Sequence, residues 1–528
     1  MSEIKSSETT RGWYRPGIAD VVFLVFALMV LWGARHSMLD DPGLGWHLRN
    51  IDAMRVQGGW LREDPFTDPR TRADASMPWF TNQWLGEIPY YWGWKWAGLE
   101  GIAVVNAIVL AWIARRLYQA LIDDGLTWPV ALGWAALGMM GTSCSWNARP
   151  NVFSILFLFF TVRGCVLLHE DRLSRRGMIG LVLLFALWAN IHGGFVAGLL
   201  SLGVTCGVEL GLWLILGRAD SRLRLMRSAG VFVTAIVATF INPYGVELYR
   251  WVFQLLGDPF FMTLHQEWKP PDFQSAGAMR YELLLLLFPL VLGLSRARPS
   301  LVEILLGVVW LHLALTGFRY VALWVVVAVP MMARASVQIS HLAELATRLR
   351  LTAQRGSLFH TTRGPSPWVA SLLVALGLLG WSRYAEGTFA VHDQRIIASE
   401  ALDRFLVLTR QWSGEQGVPP RIFHDYRWGG YITWHGWPEM LNYIDDRNEA
   451  QGRARIEQYL AIINAETGWE GHLARIDWVC IDPSVPLATK LIADEKRWKK
   501  RYEDAYAVIY ARQPCPCRRR VENGRTST

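Results

Sequence analysis

IADVVFLVFALMVLWGARH, residues 18–36, is a long apolar block with few charges. As a helix rising about 1.5 Å per residue, it can almost cross a hydrocarbon core about 30 Å thick. Further apolar blocks with few charges follow near residues 98–118, 127–145, 151–168, 177–191, 194–217, 228–242, 280–295, 300–317, 319–334 and 366–384. Soluble proteins rarely repeat such blocks, so the sequence predicts an all-α polytopic membrane domain with about eleven transmembrane helices.

The composition supports a membrane protein. Of the 528 residues, 52% are hydrophobic and 19% are charged, whereas soluble domains carry about 25% charged residues. The net charge is +8, but the basic residues cluster in short loops between apolar blocks, where they set membrane topology. The pattern therefore predicts the lipid bilayer as a partner and no nucleic acid.

The loop charges predict the orientation of the chain. If the N-terminus is cytoplasmic, each inner loop carries several arginines, whereas the short outer loops carry only Arg149 and Arg319. We therefore expect a multi-pass protein of the bacterial inner (plasma) membrane, with its C-terminal domain extracytoplasmic because the number of spans is odd. The predicted parts are a cytoplasmic tail (1–17), a membrane domain (18–384) with a long first outer loop (37–95), and a C-terminal domain (385–528).

The C-terminal domain is predicted to be a small α/β domain. Period-two and helical patterns alternate along it, and it contains neither a Gly-rich phosphate loop nor a nucleophile elbow. Short strands are predicted at 421–423, 441–444, 478–481 and 505–510, and helices at 400–412 and 448–467.

Two adjacent carboxylates, Asp40 and Asp41, follow the first span directly. Such a pair at a membrane surface can deprotonate an acceptor hydroxyl or bind a divalent cation such as Mg²⁺ or Mn²⁺. The alternative is structural, because Asp before Pro42 is a good N-cap with proline at the first helical position. The sequence shows no dedicated metal-ligand motif.

Other polar residues gather at the same predicted face. Each also has a structural interpretation, as a turn residue, a headgroup anchor or a buried core group. Their shared sidedness favours a site for an anionic, lipid-linked substrate, since arginine grips phosphate through paired hydrogen bonds. The candidate substrate-binding residues of the membrane domain are His47, Arg49, Asp64, Glu87, Arg149, His192, Glu267 and Arg319.

Asp425 and Arg427 are the candidates in the C-terminal domain. They lie in an aromatic stretch after a predicted strand, and carboxylates and aromatic rings at strand ends commonly line sugar sites. The alternative is an internal ion pair, for instance between Asp425 and Arg447.

Six segments resemble a group of uncharacterised bacterial multi-pass membrane proteins that are similar to the GT-C-fold glycosyltransferases. The segments are DDPGLGWHLR (40–49), EDPFTDP (63–69), NQWLGE (82–87), ARPNVFS (148–154), NPYG (242–245) and HDYRWGGYITW (424–434). The many spans and the acidic first outer loop also resemble the GT-C layout.

The resemblance implies transfer of a sugar from a polyprenyl-phosphate-linked donor to an extracytoplasmic acceptor. Asp40 or Asp41 would then be the catalytic base or a metal-linked carboxylate. The chain lacks the WWD-type acceptor motif of oligosaccharyltransferases, so the resemblance does not imply asparagine-linked transfer.

Two other functions compete with the transferase. A non-catalytic scaffold or lipid-binding component of envelope glycan assembly needs none of the polar residues for chemistry. A transporter needs a polar path to both faces, but the cytoplasmic halves of the spans are apolar apart from Arg163 and Glu303.

Overall fold

The computed structural model describes residues 17–33, 35–71, 78–264, 266–339 and 392–513. The predicted span at 366–384 lies outside these residues. Below, residues 37–95 are called the first loop and residues 392–513 the C-terminal region.

Helices occupy each predicted span as far as residue 336. They are α1 (Ile18–Gly33), α2 (Arg35–Leu39), α3 (Leu44–Gln57), α4 (Trp84–Asp123), α5 (Trp128–Gly141), α6 (Asn151–His169), α7 (Arg175–Ile191), α8 (Phe195–Leu214), α9 (Ala219–Thr239), α10 (Val246–Gly257), α11 (Pro259–Leu264), α12 (Ala276–Leu294), α13 (Leu301–Thr316) and α14 (Val321–Ser336). Short 3₁₀ turns lie at Pro69–Thr71, Ser143–Ser145, Gln266–Trp268 and Phe318–Tyr320.

Among the described residues, five helical segments are long and apolar enough to cross a membrane. They are Trp84–Asp123, Asn151–His169, Phe195–Leu214, Gly277–Leu294 and Phe318–Ser336. On α12 four leucines at helical spacing are exposed, Leu283, Leu286, Leu290 and Leu294, which is the pattern of a lipid-facing stripe. The chain is an integral membrane protein, and the number of eleven spans stays a prediction.

Helix α4 contains a sharp corner at the point where the predicted span begins. Ala97 and Gly98 have non-helical dihedral angles, and Gly98 has a φ of 59°. Gly93 and Gly101 touch across the corner, because a Cβ on Gly101 would lie 1.9 Å from the Gly93 carbonyl oxygen. The half of α4 before the corner therefore belongs to the first loop, and the half after it packs among the spans.

Buried ion pairs hold the end of the bundle that carries the basic loops. Arg115 donates to Asp20 over 3.0 Å. Arg163 and Arg334 both donate to Asp124, and Arg334 also contacts Glu303. Several arginines of the predicted inner side thus have carboxylate partners at the ends of neighbouring helices.

The C-terminal region contains a four-stranded sheet with strand order β1-β2-β4-β3. Strand β1 pairs in parallel with β2, and β4 pairs antiparallel with both β2 and β3. The strands are β1 (Ile422–His424), β2 (Trp478–Ile481), β3 (Trp498–Glu503) and β4 (Val508–Arg512). The helices are α15 (Ser399–Gln416), α16 (Gly429–Gly436), α17 (Asn448–Gln451), α18 (Arg453–Ile463), α19 (Trp469–His472) and α20 (Pro486–Ala493), with 3₁₀ turns at Tyr426–Trp428 and Leu473–Arg475.

Two predictions for this region were wrong in detail. Residues 441–444 form no strand, because their backbone pairs with the first loop instead. The Asn442 N–H donates to the Phe66 carbonyl oxygen, and the Asn442 carbonyl oxygen accepts from the Asp68 N–H, both over 2.9 Å. The predicted helix 448–467 is two helices, since Gly452 has a φ of 74° that interrupts it.

Helix α3 and helix α16 approach until their backbones touch. A Cβ on Gly45 would lie 2.0 Å from the Gly430 carbonyl oxygen, and a Cβ on Gly430 would lie 1.9 Å from the Pro42 carbonyl oxygen. No other residue type fits these positions without separating the helices. The glycines thus bring the C-terminal region directly over the segment that follows α1.

Arg447 joins the first loop to the C-terminal region. Its side chain is fully buried and pairs with Asp64 over 2.8 Å and with Asp445 over 2.7 Å. Its guanidinium carbon also lies 4.9 Å from the ring centre of Phe66 and 4.8 Å from that of Trp79. The first loop and the C-terminal region are therefore one packed unit at one end of the helices.

Candidate functional site

A cavity of about 420 Å³ lies where this unit meets the ends of α6, α8 and α14. One part of its wall is apolar, with Ile155, Val196, Leu200, Leu313 and Leu323. Its polar wall carries Trp46, His47, Asn82, Gln83, Asn147, Arg149, Asn151, His192, Glu267, Arg319, Asp446, Arg447 and Glu449. Five of the candidates from the sequence, His47, Arg149, His192, Glu267 and Arg319, thus meet around one space.

Arg149 bridges two carboxylates at the edge of the cavity. Its guanidinium contacts Asp41 and donates to Asp446 over 2.7 Å. Asp41 is only 1% exposed and also accepts from Gly43 N–H (2.8 Å) and from Asn147 Nδ2 (3.0 Å). The carboxylate of Asp41 is therefore saturated with donors, and Asp41 does not line the cavity.

Asp446 is the second carboxylate of this bridge. Beside the bond from Arg149, it accepts from Trp46 Nε1 over 2.7 Å. Burial raises the pKa of Asp446 to about 6, although Arg149 opposes the shift. Both of its oxygens have a donor.

The hydrogen bonds around His47 determine which ring nitrogen carries the proton. Trp79 Nε1 donates to Asn50 Oδ1 over 3.3 Å, so Asn50 turns its amide nitrogen to Glu87 Oε1, at 2.8 Å. The same oxygen lies 2.7 Å from His47 Nδ1, so Nδ1 carries the proton when Glu87 is ionised. Nε2 is left as an acceptor, and burial together with Arg149 lowers the pKa of His47 well below its usual value.

His192 has the opposite tautomer. Its Nδ1 accepts from Gly194 N–H over 3.0 Å and lies 2.8 Å from Ser154 Oγ, which itself accepts from Trp188 Nε1. The ring proton is therefore on Nε2. Burial lowers the pKa of His192 to about 3, so the ring is neutral and supplies an uncharged N–H donor.

Of the three guanidinium groups in the cavity wall, that of Arg319 is paired least closely with carboxylates. It lies in the 3₁₀ turn before α14, 4.0 Å above the ring centre of Trp268. Its ion pair with Glu267 is long, at 3.6 Å, and both side chains are partly exposed. Arg149 and Arg447 each have two close carboxylates, whereas Arg319 can still bind an anion.

Glu449 is a site residue that the sequence did not identify. It lines the cavity on the short helix α17, and no other described side chain forms an ion pair or hydrogen bond with its carboxylate. Burial raises the pKa of Glu449 to about 7. The run Asp445-Asp446-Arg447-Asn448-Glu449 was a visible charged cluster, but its position against the membrane domain follows only from the fold.

The remaining candidates have structural partners. Asp40 accepts from Asp393 N–H over 2.8 Å and so fixes the start of the C-terminal region. Arg49 donates to Asp52 and to the Trp434 carbonyl oxygen. The other two are Asp64, which pairs with Arg447, and Glu87, which orients His47.

Asp425 and Arg427 do not line the cavity. Asp425 accepts from both the backbone N–H and the side chain of Arg427, and Arg427 also donates to Asp482 over 3.2 Å. This turn satisfies its own charges, and a role of the two residues as substrate ligands stays a prediction. The alternative pair of Asp425 with Arg447 is not formed either.

The donor set does not fit a resident Mg²⁺ or Mn²⁺. Asp41 and Asp446 are the paired carboxylates at the cavity, but the guanidinium of Arg149 already lies between them and would repel a second cation. Over the described ranges, no group of three or more His, Cys, Asp or Glu side chains is placed to hold a metal ion.

Comparisons with known proteins identify the fold. Neither a protein-family model nor a curated protein matches the chain. The chain is similar to the oligosaccharyltransferase of Archaeoglobus fulgidus tethered to an acceptor peptide, at 13% identity and a TM-score of 0.56, over 95% of this chain and 75% of that one. A structure of AglB from the same organism, in complex with an inhibitory peptide and dolichol-phosphate, gives 13% identity and a TM-score of 0.54, over 94% and 74%.

ArnT of Cupriavidus metallidurans bound to undecaprenyl phosphate gives 12% identity and a TM-score of 0.47, over 93% of this chain and 97% of that one. The likeness to the two Archaeoglobus structures confirms the expected GT-C fold.

Proposed function

We propose that the chain is a membrane glycosyltransferase that moves a sugar from a polyprenyl-phosphate donor to an extracytoplasmic acceptor. The observation that carries this proposal is the pairing, in one cavity, of an apolar wall with an arginine that is free to bind an anion. An isoprenoid chain requires an apolar wall, and its phosphate requires a cation. The arginine pattern of the loops supports placing the cavity at the extracytoplasmic face.

The donor phosphate is proposed to lie at Arg319. In the cavity wall, this guanidinium combines partial exposure with only a long ion pair. Arg319 and Glu267 are both near enough to His192 to influence its charge, so the neutral Nε2–H of His192 is a second donor for the same phosphate. Hydrogen bonds to a charged phosphate are stronger than hydrogen bonds between two neutral groups.

The chemistry of transfer favours a cation at this position. A sugar phosphodiester carries one negative charge, and the departing polyprenyl phosphate gains a second when the bond from phosphate oxygen to sugar breaks. A guanidinium that is already oriented stabilises the leaving group more than it stabilises the donor. Trp268 holds Arg319 in that orientation by stacking against it.

Two amides are available to bind the sugar. Asn82 Nδ2 and Asn151 Oδ1 are buried atoms of cavity-lining residues that have no hydrogen-bond partner. Unpaired buried polar atoms are costly, about 1–3 kcal/mol each, unless a ligand completes them. Sugar hydroxyls can both donate and accept, and so can satisfy both amides.

The fold also supports this function. AglB has the same fold, and its structure contains a dolichol-phosphate. In our proposal Asp41, Asp446 and Arg149 form a rigid wall that shapes the cavity, and Asp40 fixes the C-terminal region over it. This assignment replaces the expected role of Asp40 or Asp41 as base.

The decisive experiment measures lipid binding by the purified full chain. Native mass spectrometry with undecaprenyl phosphate as the probe should show binding by the wild type. Arg319→Ala should weaken it about 10- to 150-fold, the equivalent of one charge-assisted hydrogen bond of about 1.5–3 kcal/mol. Arg319→Lys should recover part of the affinity because the charge remains.

Arg298→Ala is the matched control. Arg298 is an exposed arginine in the loop before α13, at the other end of that helix from Arg319. The Arg298→Ala variant should bind the lipid as the wild type does. Equal affinity of Arg319→Ala and wild type would remove the phosphate site, and no binding by the wild type would favour the non-catalytic scaffold.

A further inference from the structure

Apart from Glu267, which pairs with Arg319 beside the proposed phosphate, three cavity groups could accept a proton from an acceptor hydroxyl. They are Asp446, His47 Nε2 and the carboxylate of Glu449. Asp41 is excluded because it is buried behind Arg149 and already accepts from three donors. The three differ in how many partners they already have.

Asp446 is poorly suited to hold a proton during transfer. Both of its oxygens accept hydrogen bonds, one from Trp46 and one from Arg149. Protonating Asp446 would remove the charge that binds Arg149 and would weaken the bond from the indole. Either loss would rearrange the wall of the cavity at the moment of reaction.

His47 is also poorly suited. Burial, together with the charges of Arg149 and Arg447, lowers the pKa of the ring, so the imidazolium form is strongly disfavoured. Its Nε2 can accept a hydrogen bond from a hydroxyl without taking the proton. His47 is therefore a positioning group for the acceptor, held by Glu87.

Glu449 combines a fixed backbone with a carboxylate that no other described side chain binds. On one side, Asn448 accepts from the Tyr426 hydroxyl over 2.8 Å. On the other side, Gln451 donates to Asp445 (3.0 Å) and to Thr67 (3.1 Å). The neighbours are thus locked to the C-terminal region and the first loop, while the carboxylate of Glu449 faces the cavity with no side chain bound to it.

We propose that Glu449 is the general base that deprotonates the acceptor hydroxyl. This proposal rests on the proposed transferase function and names a catalytic residue for it. The base is then supplied by the C-terminal region, which would otherwise serve only to cover the cavity. A base with a pKa near the working pH is the most effective kind, and burial gives Glu449 a pKa of about 7.

The step is a single displacement at the anomeric carbon. The acceptor oxygen forms a bond to that carbon while the bond from the carbon to the phosphate oxygen breaks. The electron pair of the broken bond leaves with the polyprenyl phosphate, next to Arg319. The hydroxyl proton moves to Glu449 and later to water. Because there is only one displacement at the anomeric carbon, the configuration of the sugar is inverted.

The surroundings of Glu449 also restrict the acceptor. Asp445 and Asp446 lie close enough to raise its pKa, and Arg447, which opposes this, is already paired with two carboxylates. An attacking group that is itself an anion, such as a carboxylate or phosphate, would be repelled here. The attacking group is therefore expected to be uncharged, as an alcohol hydroxyl is.

The test uses cells of the native host, so that the donor sugar and the acceptor need not be known. Deletion of the gene should raise the pool of one polyprenyl-phosphate-linked sugar, measured by mass spectrometry of extracted lipids. Glu449→Gln should raise the same pool to a similar extent, since it removes the base but keeps the shape. Glu449→Asp should restore transfer in part.

A second readout separates catalysis from binding. Purified Glu449→Gln should carry the lipid-linked sugar in native mass spectra, whereas Arg319→Ala should lose it. Glu470→Gln, which changes an exposed glutamate of α19, should match the wild type in both measurements. All variants are compared at equal membrane abundance.

The two proposals can fail separately. If deletion changes no polyprenyl-linked pool, the transferase function is wrong. If deletion raises a pool but Glu449→Gln keeps it at the wild-type level, transfer occurs without this base and the assignment of Glu449 is wrong. If Glu449→Gln raises the pool but does not carry the lipid-linked sugar, Glu449 binds the donor and is not the base.

Discussion

The three arginines of the cavity wall have different roles, although they have the same side chain. Arg447 is fully buried between two carboxylates, and Arg149 is divided between Asp41 and Asp446. Arg319 has one long contact. A buried, fully paired guanidinium gives a fixed shape, whereas a loosely paired one can still bind a ligand.

The pKa of Glu449 makes stability depend on pH in a defined direction. Its pKa is raised from 4.5 to about 7 by burial. A carboxyl with a raised pKa contributes stability that is present below its unfolded value and is lost as pH rises through the folded value. We therefore expect the wild type to lose stability relative to Glu449→Gln between about pH 4.5 and 7.

Thermal unfolding in detergent at a series of pH values measures this difference. The melting temperature of Glu449→Gln should exceed that of the wild type by an amount that grows over this interval and then levels off. Glu470→Gln serves as the control and should follow the wild type. Parallel curves for the wild type and Glu449→Gln would show that Glu449 titrates as an ordinary glutamate.

The sequence identified the right kinds of residue better than their roles. Loop sidedness predicted that His47, Arg149, His192, Glu267 and Arg319 share a face, and the structure brings them to one cavity. It could not show that Asp41 is saturated, because two of its donors come from 106 and 108 residues away in the chain. Saturation by distant donors leaves no local pattern.

At the scale of elements, close packing of glycines sets the position of α3 against α16. Gly45→Ala should be strongly destabilising, because the new Cβ would overlap the Gly430 carbonyl oxygen at 2.0 Å. Overpacking of this kind costs about 1–3 kcal/mol, and we expect the upper part of that range because the contact is with backbone. The melting temperature of the purified protein measures it.

Gly59→Ala is the matched control in the same loop. A Cβ on Gly59 meets no atom within 4 Å, so this variant should melt close to the wild type. If Gly45→Ala also melts with the wild type, the two helices do not approach as closely as described. The control corrects for any change in melting temperature that a glycine-to-alanine substitution causes without a steric overlap.

The elements of the C-terminal region show the limits of local patterns. Strands β1 and β2 are apolar and buried, and both were predicted close to their observed positions. Strand β3 was missed because its sequence is charged, with Lys499, Lys500 and Arg501 exposed on an edge strand. Charged residues commonly protect such edges from pairing with other chains. The same residues remove the apolar pattern by which a strand is predicted from sequence.

At the scale of the whole molecule, Arg447 couples two parts that are far apart in sequence. Arg447→Met should leave Asp64 and Asp445 buried without a counter-charge, which costs about 3–5 kcal/mol when a buried pair is broken. Because the lost contacts lie between the first loop and the C-terminal region, both parts should loosen together.

Hydrogen exchange with mass spectrometry measures that coupling. Arg447→Met should speed exchange in the first loop and in the C-terminal region, and leave the membrane helices protected. Arg453→Met, which removes an exposed i,i+4 pair with Glu457, should leave exchange unchanged. Faster exchange in only one of the two parts would contradict the idea of one packed unit.

The overall architecture was the most predictable level. Long apolar blocks require helices in a membrane, and each predicted span up to residue 336 coincides with one. The contact between the first loop and the C-terminal region was not predictable, since it depends on glycine contacts and on single ion pairs. Those contacts, rather than the spans, form the polar wall of the cavity.

The bond from Arg447 to Asp64 cannot form until late in the synthesis of the chain. The two residues are 383 positions apart, so at about 5–20 residues per second Asp64 leaves the ribosome roughly 20–80 s before its partner exists. Throughout that interval the nascent loop displays a carboxylate and the aromatic rings of Phe66 and Trp79 without their counterpart. A chain that stops before residue 447 never forms this contact, so its first loop stays without the partner that buries it.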